Sequence, residues 1–104
     1  MVELRIVSKS KKKLMDIGKI LLESNLVQDV NIIDVVKRLN LINGKITTSS
    51  IYMLTSKTKA LLFPDIDAKL KSVYKSNMPE LYSLPIVHMD YDQIKNLTKN
   101  IVEV

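Results

Sequence analysis

Asn43-Gly44 stands between two stretches rich in β-branched and apolar residues, 27–42 and 45–55. Asn-Gly in that setting is the strongest short-range hairpin signal, because both residues accept the positive φ of a type I′ turn. The chain is therefore committed to one long antiparallel hairpin. Its first arm is apolar at Val30 and Ile32, then at Ile33 and Val35, then at Leu39 and Leu41. Such a change of phase means a bulge, a bend or burial on both faces. Sixteen extended residues (27–42) span roughly 50 Å at about 3.3 Å each, whereas a compact body of this length is only about 33 Å across. The hairpin should overhang its own domain. Two projecting strands bearing Leu39, Leu41, Ile42 and Ile46 would aggregate unless covered, and the usual cover is a symmetric copy of the same chain. A homo-oligomer follows from geometry.

The remaining elements surround this hairpin. Val2, Leu4 and Ile6 alternate with Glu3 and Arg5, the period of a strand with one buried face. Ser8 or Ser10 can cap a helix over residues 11–23, with Leu14, Ile17, Leu21 and Leu22 as its buried stripe. Lys9, Lys11, Lys12 and Lys13 crowd the positive end of that helix dipole, which calls for full solvation or a nearby anion; a solvated face is the plainer reading. A second helix is expected over 62–74, on a stripe of Phe63, Ile66, Leu70 and Val73, with Pro64 tolerated in its first turn. Residues 75–78 connect it to a strand over 81–87, whose Pro85 belongs at a sheet edge because it cannot donate to a ladder. Asp90 or Asp92 then caps a last helix on a stripe of Ile94, Leu97 and Ile101. The order βαββαβα describes an α+β fold, a ferredoxin-like βαββαβ sandwich with an extra C-terminal helix and a long central β-hairpin. One domain spans residues 1–104.

Composition narrows the class of function. No apolar run approaches the ~18 residues of a membrane span, and the lysine-rich start is unlike a secretory signal, so a soluble, cytoplasmic protein with no membrane partner is expected. Without cysteine there is no disulfide, thiol catalysis or thiolate metal site. The net charge of +5 is modest and does not demand nucleic acid. Tyr52 alone does not make the paired aromatic platform by which such sheets bind RNA, so no nucleic-acid partner is expected. The turn after the first strand, Ser8-Lys9-Ser10-Lys11, lacks the glycines of a phosphate cradle, and no nucleophile–base order stands out. The chain reads as no enzyme.

Three blocks carry a family resemblance across nearly the whole chain: Leu22-Glu23-Ser24-Asn25-Leu26-Val27 running into Val30-Asn31-Ile32-Ile33; Asn43-Gly44-Lys45-Ile46 leading to Leu54-Thr55-Ser56-Lys57-Thr58; and Met78-Pro79-Glu80-Leu81 with Leu84-Pro85-Ile86. In this order and spacing the sequence resembles the CutA divalent-cation tolerance family. The resemblance implies a homotrimer of ferredoxin-like subunits related in fold to PII signalling proteins, with the long hairpins contributing to the intersubunit sheet. It also implies a role in divalent metal ion (copper) binding or tolerance. Asp29 occupies the family's usual cysteine position, Asn40 and Ile42 replace its aromatics before the turn, and Asn96 stands near its last-helix Trp. A divergent member is the description that fits.

His88 is the sole histidine, in His88-Met89-Asp90-Tyr91-Asp92. Extended residues two apart project to one side, so His88 and Asp90 could reach a common divalent cation with Met89 directed away. The plainer reading is an exposed His beside a helix cap. The resemblance favours the ligand role, since some relatives carry a histidine here associated with cation binding, and threefold repetition could complete a weak set. Asp29 exchanges a soft ligand for a hard one, turning any site there toward oxygen-preferring ions; otherwise it is a polar residue on a strand's solvent face. Met15 and Met53 read as core filler. The alternative function is a PII-like regulatory module binding a small anionic metabolite or nucleotide between subunits, with Lys57, Lys59 or Lys75 as its anion partners.

Overall fold

A computed structural model describes residues 1–103. β1 (Val2–Ser8) buries Leu4 and Ile6 completely and leaves Glu3 and Arg5 partly exposed, as its alternation requires. Ser10 caps α1 (Lys11–Glu23), its hydroxyl accepting from the Lys13 amide at 3.1 Å. β2 (Asn31–Ile42) and β3 (Lys45–Thr58) form the hairpin, and Asn43 and Gly44 between them have φ of 51° and 77°. A 3-10 turn over Ala60–Leu62 leads into α2 (Phe63–Tyr74), with Pro64 in its first turn. A second 3-10 turn, Lys75–Asn77, precedes β4 (Glu80–Pro85), and α3 (Tyr91–Lys99) follows. The sheet is antiparallel with order β2-β3-β1-β4, so β4 is an edge strand and Pro85 costs no ladder bond. This is the ferredoxin-like arrangement.

The core lies between one face of the sheet and the helices. Leu4, Ile6 and Leu54 meet Leu14, Ile17 and Leu21 of α1, Ile66 and Leu70 of α2, and Leu97 of α3. Gly18 lets α1 approach closely: a Cβ there would stand 3.1 Å from Cγ2 of Val30. At the body end of the hairpin, the Thr58 hydroxyl donates to the Leu26 carbonyl at 2.7 Å and the Ser56 hydroxyl to the Asp29 carbonyl at 2.5 Å. These bonds fasten the segment before β2 to β3 and satisfy two hydroxyls in a dry environment.

Several expectations need correction. The first hairpin arm begins at Asn31, not 27, because Leu26 and Val27 turn inward as core residues before the strand starts. The arm still overhangs. β1 pairs with β3 only as far as Ser8 opposite Tyr52, while the β2–β3 ladder continues to Ile42 opposite Lys45. The molecule measures 47 × 30 × 20 Å, and Leu39 (66%), Leu41 (73%), Ile42 (53%) and Ile46 (72%) are exposed. The change of apolar phase is a bulge between Ile33 and Val36, where Val35 adopts a φ of 50°, an uncommon conformation for a β-branched residue. Leu22, Val73 and Met15 are exposed rather than core. Met15 and Leu22 stand about 100° round α1 from the buried Leu14 and Leu21, and a flat sheet covers only a narrow stripe. Val73 lies in the last turn of α2, beyond the buried Leu70. The last strand ends at Pro85, two residues early, although the Ile86 amide still donates to the Met1 carbonyl at 3.1 Å.

Candidate functional site

Past Ser8 the chain leaves the sheet to enter α1, while β2 and β3 continue outward. Val7 pairs with Glu80 at the start of β4. A gap therefore opens beyond the end of β1, between the hairpin and β4. It forms a cleft of about 270 Å³ with Lys9, Lys13, Arg38, Ser49, Asn77 and Glu80 among its walls. Arg38 spans the gap, its Nη1 donating to Oε1 of Glu80 at 2.6 Å and its Nη2 to Oε2 at 3.0 Å. Those bonds from Arg38 hold the Glu80 carboxyl below its usual range, against a smaller opposing effect of burial. A lowered carboxyl pKa means that the pair contributes stability above the ordinary glutamate range and loses it as pH falls through the lowered value. With both side chains partly in solvent, that contribution is small. Opposite Arg38 in the ladder is Ser49, whose hydroxyl oxygen is buried without a hydrogen-bond partner among the described residues.

The lysines at the start of α1 are not simply solvated. Lys11 pairs with Asp34 in the β2 bulge at 2.7 Å, Lys12 with Asp16 at 3.0 Å, and Lys13 donates to the Asn77 carbonyl at 2.5 Å. The ammonium of Lys13 also lies 4.9 Å from the Tyr74 ring centroid. Local acceptors offset the unfavourable dipole at these three positions. Lys9 makes no ion pair among the described residues and faces the first cleft.

His88 and Asp90 are both exposed, in the segment between β4 and α3, and Met89 packs against the core. Asp90 is the cap of α3, accepting from the Gln93 amide at 3.1 Å. Asp29 is exposed in the segment preceding β2, rather than on a strand face. Among the described residues of one chain, no three His, Asp or Glu side chains converge as metal ligands. An ion held by His88 and Asp90 would therefore need further ligands from beyond this pair. Cap and ligand roles of Asp90 are separable. Asp90→Ala should cost about 1 kcal/mol of unfolding free energy in urea, whereas Asp90→Asn, an equally good cap, should leave stability unchanged.

A second cleft, of about 230 Å³, brings Asp29 and Lys57 together with Met89, Gln93 and Asn96. Lys59 and Lys75 line neither cleft. The Lys59 ammonium donates to the Val102 carbonyl at 2.8 Å, and Lys75 lies in the 3-10 turn after α2 with a φ of 52°. The cationic surface that does converge, Lys9, Lys13 and Arg38, was signalled in sequence only by the lysine cluster. Arg38 and Glu80 are 42 residues apart, and nothing local in the sequence joins them.

A family model described as CutA1 divalent ion tolerance protein matches residues 4–100. No curated protein matches the sequence. Among solved structures, the chain is similar to a divalent cation tolerance protein (Cut A1) from Thermus thermophilus, with 25% identity, 98% of this chain and 100% of that one covered, and a TM-score of 0.82. It has the fold of CutA1 from Oryza sativa, at 19% identity, 99% and 94% coverage and a TM-score of 0.85. It shares that fold with a protein from Archaeoglobus fulgidus described as periplasmic divalent cation tolerance protein CutA, at 23% identity, 93% and 95% coverage and a TM-score of 0.78.

Proposed function

This chain belongs to the CutA1 divalent ion tolerance family, and on that premise we propose that it works as a non-catalytic homotrimer that binds divalent metal ions, copper among them. The match over residues 4–100 carries the reading. The exposed apolar end of the hairpin supports the assembly, because Leu39, Leu41 and Ile46 offer a surface that sister chains would cover. In this reading His88 and Asp90 are the ligands of each chain, and three copies together supply what one chain lacks. Asp29 is a candidate oxygen ligand beside the second cleft. Imidazole with carboxylate suits Cu(II) and Zn(II), and Cu(II) should bind tightest by the usual order of divalent affinities.

Isothermal titration of the metal-stripped protein with Cu(II), Zn(II) and Mn(II) tests this. The native protein should give saturable heats strongest for Cu(II), and His88→Ala should weaken Cu(II) binding at least about tenfold. Equal heats from both proteins would remove His88 from the account. Asp90→Asn, which keeps the cap, isolates the carboxylate's share.

A further inference from the structure

The gap beyond β1 has a chemistry of its own, independent of the metal reading. We infer that each chain binds a small oxyanion of the phosphate-monoester class in this cleft, with Arg38 exchanging Glu80 for the ligand. Lys9, Lys13 and Arg38 face a single carboxylate, Glu80, among the walls. That leaves a surplus of positive charge suited to a doubly charged anion and unsuited to a metal ion. Arg38 already presents its planar fork in a two-bond grip on carboxylate oxygens, at 2.6 and 3.0 Å. Phosphate oxygens match the same fork. Glu80 is thus an internal stand-in: its partly exposed carboxylate can return to water when an anion takes its place.

The Ser49 hydroxyl supplies the second observation. It is buried and unpartnered, and Ser49 stands directly opposite Arg38 in the ladder, so their side chains share one face of the hairpin. A buried hydroxyl without a partner is costly. An oxyanion gripped by Arg38 would accept its hydrogen. Lys9, without an ion pair among the described residues, brings a further charge to the cleft it lines. The cleft's 270 Å³ is just under the roughly 300–1,000 Å³ of larger ligand pockets, which suits a phosphate carried on a few carbon atoms.

The test is isothermal titration of the assembled protein with inorganic phosphate and with glycerol phosphate, in chloride at constant ionic strength. Saturable binding of one anion per chain is expected. Arg38→Ala and Lys9→Ala should each weaken it at least about tenfold, since each removes a charge-assisted contact. Ser49→Ala should weaken it less. Glu80→Gln should tighten it several-fold, because the competitor for Arg38 loses its charge. That sign is decisive: if the Arg38–Glu80 bridge merely holds the hairpin to β4, both substitutions would act in the same direction. Absence of saturable binding for both anions, or failure of Glu80→Gln to tighten it, overturns the proposal. Native circular dichroism and unchanged particle mass establish that each variant is folded. Cu(II) titration of the same variants should be unaltered, so the two readings stand or fall separately.

Discussion

Replacing Leu39 and Leu41 together with Asp should turn the proposed trimer, a particle of about 36 kDa made of three chains of 11.9 kDa, into a monomer of about 12 kDa by light scattering. The two leucines lie on one face of β2, and Leu41 is paired with Ile46 on β3. All three are exposed in the isolated chain. Burying such a side chain against a sister subunit is worth about 1.5–3 kcal/mol, and the contribution is repeated in every chain of a symmetric assembly. A carboxylate at each position forfeits that gain and adds the cost of desolvating an unpaired charge. Lys45→Glu, on the opposite face beside the turn, serves as the control and should leave the mass unchanged. The same mass from the Leu39/Leu41 variant as from the native protein would mean that the apolar strip is not the intersubunit surface.

Leu54→Ala should have the other large effect, a loss of about 2–5 kcal/mol in urea unfolding. Leu54 has no exposed surface. On β3 it pairs with Ile32 on one side and Ile6 on the other, and its Cδ1 lies 3.7 Å from where a Cβ on Gly18 would stand. Strands flank it and a helix closes over it, so the cavity has little room to collapse. The loss is a large part of the roughly 5–15 kcal/mol that holds an ordinary domain. Because assembly as proposed would couple to folding, the midpoint must be compared at one protein concentration. The particle mass at zero denaturant should be native, which separates this damage from that of the hairpin variant. A loss below about 1 kcal/mol would show that the core around Leu54 can relax, against the packing described.

The two substitutions also mark what could be read along the chain. Leu4 and Ile6 belong to an alternating pattern and Leu39 and Leu41 to a projecting one, so one wall of the core and the overhang were visible in residue order, whereas Leu54 closes the continuous apolar run Ile51-Tyr52-Met53-Leu54 and its inward face was not. α1 begins and ends where its Ser10 cap and apolar spacing place it. The edge position of β4 follows from Pro85. The limits were local as well. Leu22 and Val73 satisfy helical spacing yet lie exposed, because spacing identifies a face but not how much of it a sheet will cover. Val27 reads as strand because it is β-branched and opens a stretch rich in Val, Ile and Leu. It is buried beside Leu26 in the segment before β2, where tertiary packing outweighs propensity.

The candidate sites were less legible. His88 and Asp90 drew notice by residue type, and the sequence proposed both roles for Asp90, one of which is the α3 cap. Lys57, Lys59 and Lys75 are, by sequence, cations near the expected clefts, but a lysine's reach depends on neighbours that sequence distance hides. Lys59, for example, is engaged by the Val102 carbonyl.

Periodicity, punctuation and strand length, which act between near neighbours or along one element, determined from sequence alone the element order, the hairpin and its excess length over the body. The Arg38–Glu80 bridge, the orphaned Ser49 hydroxyl and the cleft beyond β1 were decided only by the tertiary structure. They depend on where β1 stops beside strands that continue, and that register is a property of paired chains in space.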